Sequence, residues 1–589
     1  MPPKFDNETP LSSNYDKQPY FPTSFSADVC ATGWDAIVAR VKATSPRRIC
    51  IECYPGAFEA EIELAFTSRL QPAVVVRARD AYKPAQQIEV QFAAELTTDP
   101  AFGRLSAAQI RDFLNDEGAR AVRARLDEAF GLTLVIGTGA ALLAPDADCL
   151  IYADMARWEI QARQRDNRIG NLGLENFFDR PAQKYKRAFF LDWRAADRLK
   201  ADLLPRADWV LDTNAMEMPK MISGEIFRGT LKECLRSPLR LVPFFDPGPW
   251  GGQWMQEKFD LPRDAPNYAW CFDCVPEENS LLLGFEDLRF EIPAIDLVLL
   301  HPNDLMGKDV HARFGFDFPI RFDLLDTIGG GNLSFQVHPL TEYIRAHFNM
   351  SYTQDESYYL LDAEPGAVVY LGLKAEADRA AMAADLARAQ EGGPAFPVEQ
   401  YVNRFPARKH DHFLIPAGTP HCSGAGSMVL EISATPYIFT FKLWDWGRLG
   451  LDGQPRPVHL EHGLQNIQWD RDTEWTRREL VNAVTVMARG RGWVEERTGL
   501  HEQEFIETRR HWFTEAVEHD TQGTVNVLNL VEGSEILVRS PAREFPTFKV
   551  HYAETFLIPA GIGRYVVTPS RPGETCATLK AFVRSALLH

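Results

Sequence analysis

Histidine is absent from the first half of this chain. All fourteen histidines lie at position 301 or later, so any imidazole chemistry belongs to the C-terminal half. No run of about 18 apolar residues occurs, which argues against a membrane-spanning helix. The first 25 residues are polar, contain five prolines and lack the apolar core of a signal peptide. We therefore expect a cytoplasmic protein without a membrane partner.

Cysteine is scarce as well. Nine cysteines in 589 residues, an odd number, fit a reduced protein better than a disulfide framework. Two CxxC pairs, Cys50/Cys53 and Cys271/Cys274, allow a structural zinc site as one interpretation. They lie far apart in apolar, strand-like segments, and this context favours buried thiols.

Positive charge is in deficit. The chain has 63 Lys and Arg against 81 Asp and Glu, a net charge of −18. A nucleic acid or an anionic membrane requires a basic surface, so neither is expected as a partner. A few cations focused into one cleft can still bind a small anionic molecule.

Residues 47–214 alternate strand-like and helical patterns. Alternation of this kind favours an α/β layer built on a parallel sheet. We predict a flexible arm over residues 1–30 and an α/β domain over 31–235. The individual predictions are strands at 49–51, 74–76 and 132–136 and helices at 107–130 and 155–165.

The predicted α/β domain resembles P-loop kinases of the uridine-kinase type. A strand enters a turn at Tyr54-Pro55-Gly56, and polar segments follow at 154–158 and 185–187, where such kinases contact their substrate. The glycines and the Lys-Ser/Thr pair of a phosphate-binding loop are missing, and the turn continues with Glu59 and Glu61. Because acidic side chains there repel a triphosphate, we expect a degenerate, structural or regulatory domain rather than an active kinase.

A Pro- and Gly-rich passage at 243–252 marks a change of composition. Beyond it, short strands separated by turns dominate, with one brief Ala-rich helix predicted at 375–390, which is an all-β pattern of barrel type. Within this region the sequence Leu-Ile-Pro-Ala-Gly occurs at 414–418 and again at 557–561. His421, which ends the first copy, is replaced by Arg564 in the second.

The repeat predicts two barrels, over residues 236–500 and 501–589. An arginine cannot give up its proton to bind a metal, so only the first barrel is expected to perform metal chemistry.

Four polar residues of the first predicted barrel are suited to an N/O metal site. Strand periodicity places Gln336 and His338 on one face together with Ser334. Glu356 lies near the start of the next strand, and His421 follows a tight turn. Two imidazoles, a carboxylate and an amide oxygen suit zinc. A single histidine after a turn is more often a surface residue, so the prediction depends on all four together.

The spacing is that of a cupin barrel, whose second motif Pro-x-Gly-x-x-His matches Pro416, Gly418 and His421. At these residues the chain resembles the type I mannose-6-phosphate isomerases, over about residues 243–589. The matching motifs are, in chain order, Trp250-Gly251-Gly252, Leu333-Ser334-x-Gln336-x-His338-Pro339, Glu356 with Tyr358-Tyr359 and Leu361-Asp362, Glu364-Pro365-Gly366, Tyr370-Leu371-Gly372, Pro416-Ala417-Gly418-Thr419-x-His421, Leu430-Glu431 and Asp445-Trp446-Gly447-Arg448.

The resemblance implies a double cupin of jelly-roll barrels and a zinc-dependent aldose–ketose isomerase. Such an enzyme interconverts mannose 6-phosphate and fructose 6-phosphate by proton transfer between C1 and C2 through a cis-enediol. It implies one Zn²⁺ per chain, held by Gln336, His338, Glu356 and His421. The implied catalytic residues are Glu431, Lys442 and Arg448, and the implied substrate-binding residues are Ser334 and Lys442. Arg448 has a structural alternative, in which it bonds backbone carbonyls beside Trp446.

The chain departs from the family pattern at its phosphate-binding residues. Gln354 and Lys442 stand where the family has Lys and Arg, and Arg321 is the nearest cation to a third missing lysine. Fewer charge-assisted bonds weaken phosphate binding, so a different sugar or sugar phosphate stays open as the substrate. Two further hypotheses are a non-catalytic sugar sensor and a bifunctional kinase–isomerase. Glu431 and the four intact ligands count against the sensor. The sequence does not indicate the oligomeric state.

Overall fold

A computed structural model of the chain describes residues 13–215, 217–435, 437–499 and 504–584. These residues form two compact units, the first comprising Tyr20–Cys234 and Pro276–His301 and the second the remaining described residues. The protein is therefore multidomain with mixed α/β structure, as predicted. Of the predicted arm, residues 1–12 lie outside the described residues. The strand Tyr20–Pro22 belongs to the first unit, where it pairs in parallel with Ser280–Phe285.

The first unit is built on a seven-stranded sheet. Five neighbouring strands of this sheet pair in parallel, and strands such as Thr133–Gly137 and Cys149–Asp154 are buried along their whole length. Continuous burial is typical of parallel strands covered on both faces. The strand order across the sheet is Ala31–Thr32, Lys220–Ser223, Trp209–Asp212, Cys149–Asp154, Arg48–Cys53, Thr133–Gly137, Val74–Arg77. A smaller sheet contains Tyr20–Pro22, Ser280–Phe285 and Leu288–Pro293.

One helix of the first unit is shorter than its sequence pattern predicts. The pattern extends over residues 107–130, but the α-helix covers only Asp116–Asp127, because the Asn115 side chain accepts hydrogen bonds from the amides of Glu117 and Gly118 and caps it there. The α-helices of this unit are Trp34–Ala43, Glu59–Leu70, Ala85–Gln91, Ala93–Leu96, Asp116–Asp127, Ala140–Leu143, Arg157–Arg165, Pro181–Arg187, Trp193–Leu203, Gly224–Cys234 and Ile295–Leu300. The 3₁₀ turns are Ala27–Val29, Ala78–Ala81, Ile110–Phe113 and Leu204–Arg206, and Ala188–Asp192 is a π-helical turn.

The second unit contains two pairs of antiparallel sheets. In the first pair, the larger sheet has the order His412–Ile415, Glu356–Ala363, Ser427–Ala434, Ile320–Asp326, Trp270–Cys274, Phe244–Asp246. The smaller sheet has the order Val402–Pro406, Val368–Leu373, His421–Ser423, Phe335–Val337, Phe441–Trp444. All of the predicted metal ligands lie on these two sheets or directly after one of their strands.

The second pair of sheets begins before the predicted boundary at residue 501. Its larger sheet has the order Thr485–Gly490, Trp493–Gly499, Ile506–Phe513, Cys576–Val583, Asn526–Glu532, Thr555–Ile558. Its smaller sheet has the order Val517–Asp520, Arg564–Pro569, Glu535–Arg539, Phe548–His551. Apolar side chains of both sheets, among them Leu528 and Val567, share one core.

The repeated Leu-Ile-Pro-Ala-Gly sequence occupies the same place in both pairs of sheets. Its first copy ends the edge strand His412–Ile415, where Ile415 pairs with Glu356. Its second copy ends the edge strand Thr555–Ile558, where Ile558 pairs with Asn526. The repeat therefore provides a common register for comparing the two pairs, with Asn526 at the position of Glu356.

The prediction of one brief helix in the C-terminal region is wrong. The Ala-rich helix is present as Arg379–Gln390, but further helices accompany it, each of four to eight residues and hence too short to show a clear period. They are Trp254–Lys258, Pro302–Met306, Lys308–Phe314, Thr341–Phe348, Val398–Tyr401, Leu460–Asn466 and Thr473–Leu480. A 3₁₀ turn of three residues, Ala560–Ile562, follows later in the chain. Throughout the part of the chain that the structure describes, no helix has both the length and the apolar character needed to cross a membrane.

Candidate metal centre and active site

His338, Glu356 and His421 meet between the two sheets of the first pair. Glu356 and His421 each begin a strand, and His338 directly follows the strand Phe335–Val337. All three side chains are buried, and one ligand atom from each lies within 4.8 Å of the others. Among the described residues this is the only such group of three or more His, Cys, Asp or Glu.

The hydrogen bonds of the two histidines fix which nitrogen faces the carboxylate. The Nδ1 of His421 lies 2.9 Å from the carbonyl oxygen of Thr419, and the Nδ1 of His338 lies 3.4 Å from that of Phe439. A carbonyl oxygen can only accept, so in the neutral rings each Nδ1 carries the hydrogen and each Nε2 carries a lone pair.

These two Nε2 atoms lie 2.7 Å (His421) and 3.1 Å (His338) from the carboxylate oxygens of Glu356. Lone pairs that face a carboxylate so closely need a positive charge between them, and a metal ion supplies it. Burial raises the pKa of Glu356, and only positive charge on the facing imidazoles, or on a metal ion in place of their protons, holds this pKa well below its usual range. The donor set therefore fits a divalent metal.

Gln336 completes the predicted ligand set. It pairs with His421 across the smaller sheet, and its side-chain nitrogen lies 3.3 Å from the Nε2 of His421. The oxygen and nitrogen of a side-chain amide have nearly the same shape, so a half-turn of the amide places its oxygen at this position. Gln336 can thus offer a ligand oxygen beside the three other residues.

Glu431 lies next to this centre on the strand Ser427–Ala434. Its Oε1 accepts hydrogen bonds from Ser433 Oγ at 3.0 Å and from Gln354 Nε2 at 3.3 Å, and lies 3.4 Å from the Arg321 guanidinium. Burial and neighbouring carboxylates raise the pKa of Glu431 well above its usual range, against the opposing effect of Arg321. A raised pKa makes the carboxylate a stronger base and lets the carboxyl hold a proton between two transfers.

Gln354, where the resemblance leads one to expect a lysine, joins Glu431 to the metal centre. Its Nε2 also donates to Oε2 of Glu356 at 3.1 Å. The neutral amide thus connects a predicted ligand to the acid group, and it adds no positive charge to the site.

Lys442 lies on the opposite sheet, where it pairs with Gln336. Burial lowers the pKa of Lys442 to about 8, and the nearby Arg456 guanidinium contributes to this lowering. Arg456 donates to Ser334 Oγ at 3.0 Å and to Asp445 at 2.8 Å, and Ser334 also bonds Asp445. Sequence reasoning missed Arg456, because no motif or spacing connects it to Ser334 before the fold brings them together.

Arg448 has a different environment from the other predicted catalytic residues. Its guanidinium bonds Asp445 twice, at 2.6 and 3.0 Å, and also the backbone carbonyl of Asn332. The indole of the neighbouring Trp446 donates to the carbonyl of Leu333 at 2.6 Å. These contacts favour the structural alternative, in which Arg448 holds the chain beside the site.

A cavity of about 240 Å³ opens beside these groups. It collects most of the predicted site residues, with Arg448, His338 and His421 not on its wall. The lining residues are Trp250, Trp270, Phe272, Arg321, Leu325, Leu333, Ser334, Gln336, Gln354, Glu356, Glu431, Tyr437, Thr440, Lys442 and Arg456. The wall therefore combines acid, base and cationic side chains with aromatic rings, as a site for a small polar molecule requires.

The CxxC pairs form no second metal site among the described residues. Cys50, Cys53, Cys271 and Cys274 are all free and buried. Burial raises the pKa of the Cys50, Cys53 and Cys271 thiols well above the usual value, which disfavours the thiolates that bind zinc. The interpretation as buried thiols agrees with this geometry.

In the first unit, Glu52 lies one residue before the end of the strand Arg48–Cys53 and Glu59 begins the next helix, so these two acidic side chains flank the turn at Tyr54-Pro55-Gly56. Glu52 accepts from the backbone amides of Gly139 at 2.6 Å and Ala141 at 2.8 Å, and Glu59 accepts from that of Thr138 at 3.0 Å. Burial raises the pKa of Glu52 to about 8. The backbone amides of residues 138, 139 and 141 therefore already have carboxylate partners within the chain.

Asp154, a predicted substrate contact of the kinase-like domain, is part of a buried ion pair. Lys200 lies 2.7 Å from Asp154 and 2.8 Å from Asp296, and all three side chains are buried. The sequence did not predict this cluster, since its members lie up to 142 residues apart, counting from 154 to 296.

Comparison with known proteins finds two different similarities. A family model described as a domain of unknown function (DUF8485) matches residues 33–236. "Probable mannose-6-phosphate isomerase GmuF" of Bacillus subtilis (strain 168) is 27% identical over 236 residues, which are 39% of this chain and 68% of that protein. Mannose-6-phosphate isomerase ManA of the same organism is 25% identical over 232 residues, again 39% of this chain and 68% of that protein.

A third relative and a solved structure carry the same name. Mannose-6-phosphate isomerase of Streptococcus mutans serotype c is 25% identical over 217 residues, 36% of this chain and 63% of that protein. The crystal structure of mannose 6-phosphate isomerase from Bacillus subtilis aligns with 59% of this chain and 99% of its own, at 18% identity and a TM-score of 0.47.

Proposed function

We propose that this protein is a metal-dependent aldose–ketose isomerase that acts on a sugar phosphate. The observation that carries the proposal is the buried group of His338, Glu356 and His421, with both Nε2 lone pairs directed at the carboxylate and a polar cavity beside it. The curated relatives named as mannose-6-phosphate isomerases support the same activity. The proposed pair is mannose 6-phosphate and fructose 6-phosphate, interconverted through a cis-enediol.

Gln336, His338, Glu356 and His421 are the proposed ligands of one zinc ion per chain. Zinc, when bound, supplies Lewis-acid stabilisation of the charge that develops on the substrate oxygens. The ligand set of two imidazoles with carboxylate and amide oxygens is compatible with it. We further propose that each pair of sheets is a cupin-type barrel and that the protein is cytoplasmic.

Glu431 is the proposed proton carrier. From the aldose, a base removes the proton on C2, the electron pair forms the C1–C2 double bond, and O1 takes up a proton. Return of a proton to C1 and loss of the proton on O2 then give the ketose, so no net proton is gained or lost. Glu431, on the cavity wall, is the proposed base: a raised pKa strengthens its carboxylate as acceptor of the C2 proton, and the carboxyl so formed returns a proton to C1. O1 and O2 exchange their protons with other polar groups of the wall.

Lys442 and Ser334 are the proposed contacts of the substrate's anionic group, together with Thr440 and Arg456 on the same wall. Lys442 can place its charge in the cavity, because no carboxylate of the described residues lies within ion-pair distance of its ammonium. Arg456 shares its charge with Asp445. In this arrangement, Lys442 stands at the position of the family's arginine, and Arg456 adds a second cation that the family pattern does not predict.

Replacing Lys442 with methionine should therefore weaken binding of the phosphate ester specifically. A charge-assisted hydrogen bond contributes about 1.5–3 kcal/mol, so we expect KM for mannose 6-phosphate to rise about 10- to 100-fold. Steady-state kinetics of mannose 6-phosphate and of unphosphorylated mannose measure the effect. Lys308→Met, at an exposed lysine, is the control. An unchanged KM for the ester in the Lys442 variant would remove Lys442 from substrate binding.

The same kinetics separate the competing functions. Turnover of another sugar or sugar phosphate in preference to mannose 6-phosphate would establish the different substrate that Gln354 suggests. Tight sugar binding without turnover of any substrate would establish the sensor.

The first unit has a separate proposed role. Its five parallel strands, numbered by their order in the chain, lie across the sheet in the order 2-3-1-4-5, which supports a relation to P-loop kinases. Glu52 and Glu59 lie on either side of the turn that follows the first of these strands, where they bond backbone amides at 138, 139 and 141 in place of an anion's phosphate-loop contacts. We therefore propose a structural or regulatory domain without kinase activity.

A further inference from the structure

The second pair of sheets encloses a polar cavity of about 300 Å³ that has no part in the proposed isomerase mechanism. Charged and imidazole side chains line it, together with two aromatic rings. The lining residues are Trp493, Glu495, Glu507, Arg509, His511, Val517, Glu518, His519, Asp520, Thr521, Gln522, Asn526, Lys580, Phe582 and Arg584.

The common register shows that this cavity stands at the place of the candidate active site. Asn526 occupies the position of Glu356, because each pairs with the isoleucine of the repeated sequence. Two residues further along the same strands, Leu528 pairs with Lys580 as Tyr358 pairs with Glu431. Lys580 thus takes the position of the proposed proton carrier.

The charges at matching positions are reversed. Lys580 pairs with Arg509 on the next strand, as Glu431 pairs with Asp323. Glu507, two residues before Arg509, corresponds to Arg321, two residues before Asp323. The acidic ligand Glu356 has the neutral counterpart Asn526. In the first pair of sheets, the cavity is proposed to lie beside a bound cation. In the second pair, the corresponding cavity has a lysine at the position of Glu431 and no carboxylate at the position of the ligand Glu356.

Three cations line this cavity, Arg509, Lys580 and Arg584, and Arg584 donates to the carbonyl oxygen of Glu504. Arg509 lies 3.0 Å from Glu495 and 2.7 Å from Glu507, so two carboxylates compensate its charge. Among the described residues Lys580 has no hydrogen bond or ion pair, and its ammonium lies 5.4 Å from the centre of the Phe582 ring. Burial lowers the pKa of Lys580 to about 8, which leaves most of the amine charged at pH 7.

Two buried imidazole nitrogens also have no hydrogen-bond partner among the described residues. They are Nδ1 of His511 and Nε2 of His519, on side chains that are 2% and 6% exposed. Burial lowers the pKa of His511 to about 4 and that of His519 well below its usual value, so both rings are neutral at pH 7. Neutral imidazoles can donate to or accept from hydroxyl groups. Buried polar groups are normally satisfied, so their lack of partners points to a ligand or water in the cavity.

We propose that the second pair of sheets binds a small hydroxylated oxyanion, either a phosphate ester or a carboxylate. Lys580 holds the anionic group, the two histidines bond its hydroxyl groups, and Trp493 and Phe582 provide apolar walls for its carbon skeleton. The cavity volume lies at the lower end of the range found for small-molecule sites. The duplication thus provides one site for chemistry and a second, metal-free site for binding.

Replacing Lys580 with methionine tests this site. The full zinc-loaded chain is titrated calorimetrically with glucose 6-phosphate, with gluconate and with glucose, which represent ester, carboxylate and neutral sugar. The Lys442→Met background is used for every protein, so that the first cavity contributes less to the signal. We expect one of the two oxyanions to bind, glucose to bind much more weakly, and Lys580→Met to lower the affinity by about tenfold or more.

The control is Lys549→Met, at an exposed lysine of the same pair of sheets, which lies 3.2 Å from Glu535. It should leave the affinity unchanged. Equal oxyanion affinity of the Lys580→Met variant and its parent would overturn the proposal. Binding of glucose as tight as that of the oxyanions, or no binding of either oxyanion, would also overturn it.

The Lys580 variant is expected to fold. Methionine has a similar length and removes a buried charge without a partner, so the urea midpoint of unfolding should rise above that of the parent.

A measurement on the parent protein is independent of the variant: acetylation of Lys580, followed by mass spectrometry, should slow when the oxyanion is present. Acetylation at an unchanged rate would contradict the proposal. The chain with Lys580→Met as its single substitution should keep its isomerase activity. Failure of this proposal can therefore be told apart from failure of the proposed function.

Discussion

Replacing His421 with alanine should remove bound zinc and isomerase activity together. The Nε2 of His421 lies 2.7 Å from Glu356, and no other described side chain offers an imidazole in its place. Lewis-acid stabilisation of a developing oxyanion contributes several kcal/mol, so kcat/KM for mannose 6-phosphate should fall by about 10³-fold or more. Metal analysis of the purified protein and initial-rate kinetics measure the two effects.

His347→Ala is the matched control. His347 is exposed on the helix Thr341–Phe348 and bonds a carbonyl within its own helix, so its loss should change neither zinc content nor rate. A His421 variant that retains full activity without metal would exclude the proposed centre.

Replacing Glu431 with glutamine should lower kcat and leave the metal in place. Glutamine preserves the shape of the side chain, and it can still meet Ser433 and Gln354, but it cannot transfer a proton. General acid–base catalysis contributes about 10²- to 10⁴-fold, so we expect a loss of kcat in this range with a small change in KM. Exchange of the C2 hydrogen of the substrate with solvent deuterium, followed by NMR, reports directly on the proton-transfer step.

The control for this substitution is Glu399→Gln, at an exposed glutamate on the same unit. It should behave as the parent protein in both assays. If the Glu431 variant exchanges the C2 proton at the parental rate, another group on the cavity wall carries the proton. Lys442, whose pKa is about 8, would then be the first candidate.

The repeat was the part of the sequence that predicted most about the site. Identical residues at 414–418 and 557–561 end equivalent edge strands, so the local pattern was sufficient to place His421 beside a duplicated sheet. His338 and Glu356 could be predicted because each lies at the end of a short strand with an alternating pattern. Local patterns of this kind survive in the sequence because each of them is formed by a few consecutive residues.

Local sequence patterns could not predict contacts between distant segments of the chain. Arg456 reaches Ser334 and Asp445 only when the smaller sheet has formed, and no spacing along the chain signals it. The correspondence between Lys580 and Glu431 requires strand register, which a one-residue slip would destroy. The predicted helix at 107–130 was too long because the pattern did not reveal that Asn115 acts as a cap.

The most direct test of the proposed function is the conversion of mannose 6-phosphate to fructose 6-phosphate by the full chain, before and after removal of metal with a chelator. The proposed function predicts turnover of the phosphate ester by the zinc-loaded protein, loss of turnover on chelation, and recovery when zinc is returned. Stoichiometric zinc binding without turnover of mannose 6-phosphate would contradict the proposed reaction. Full turnover by the metal-free protein would contradict the proposed metal centre.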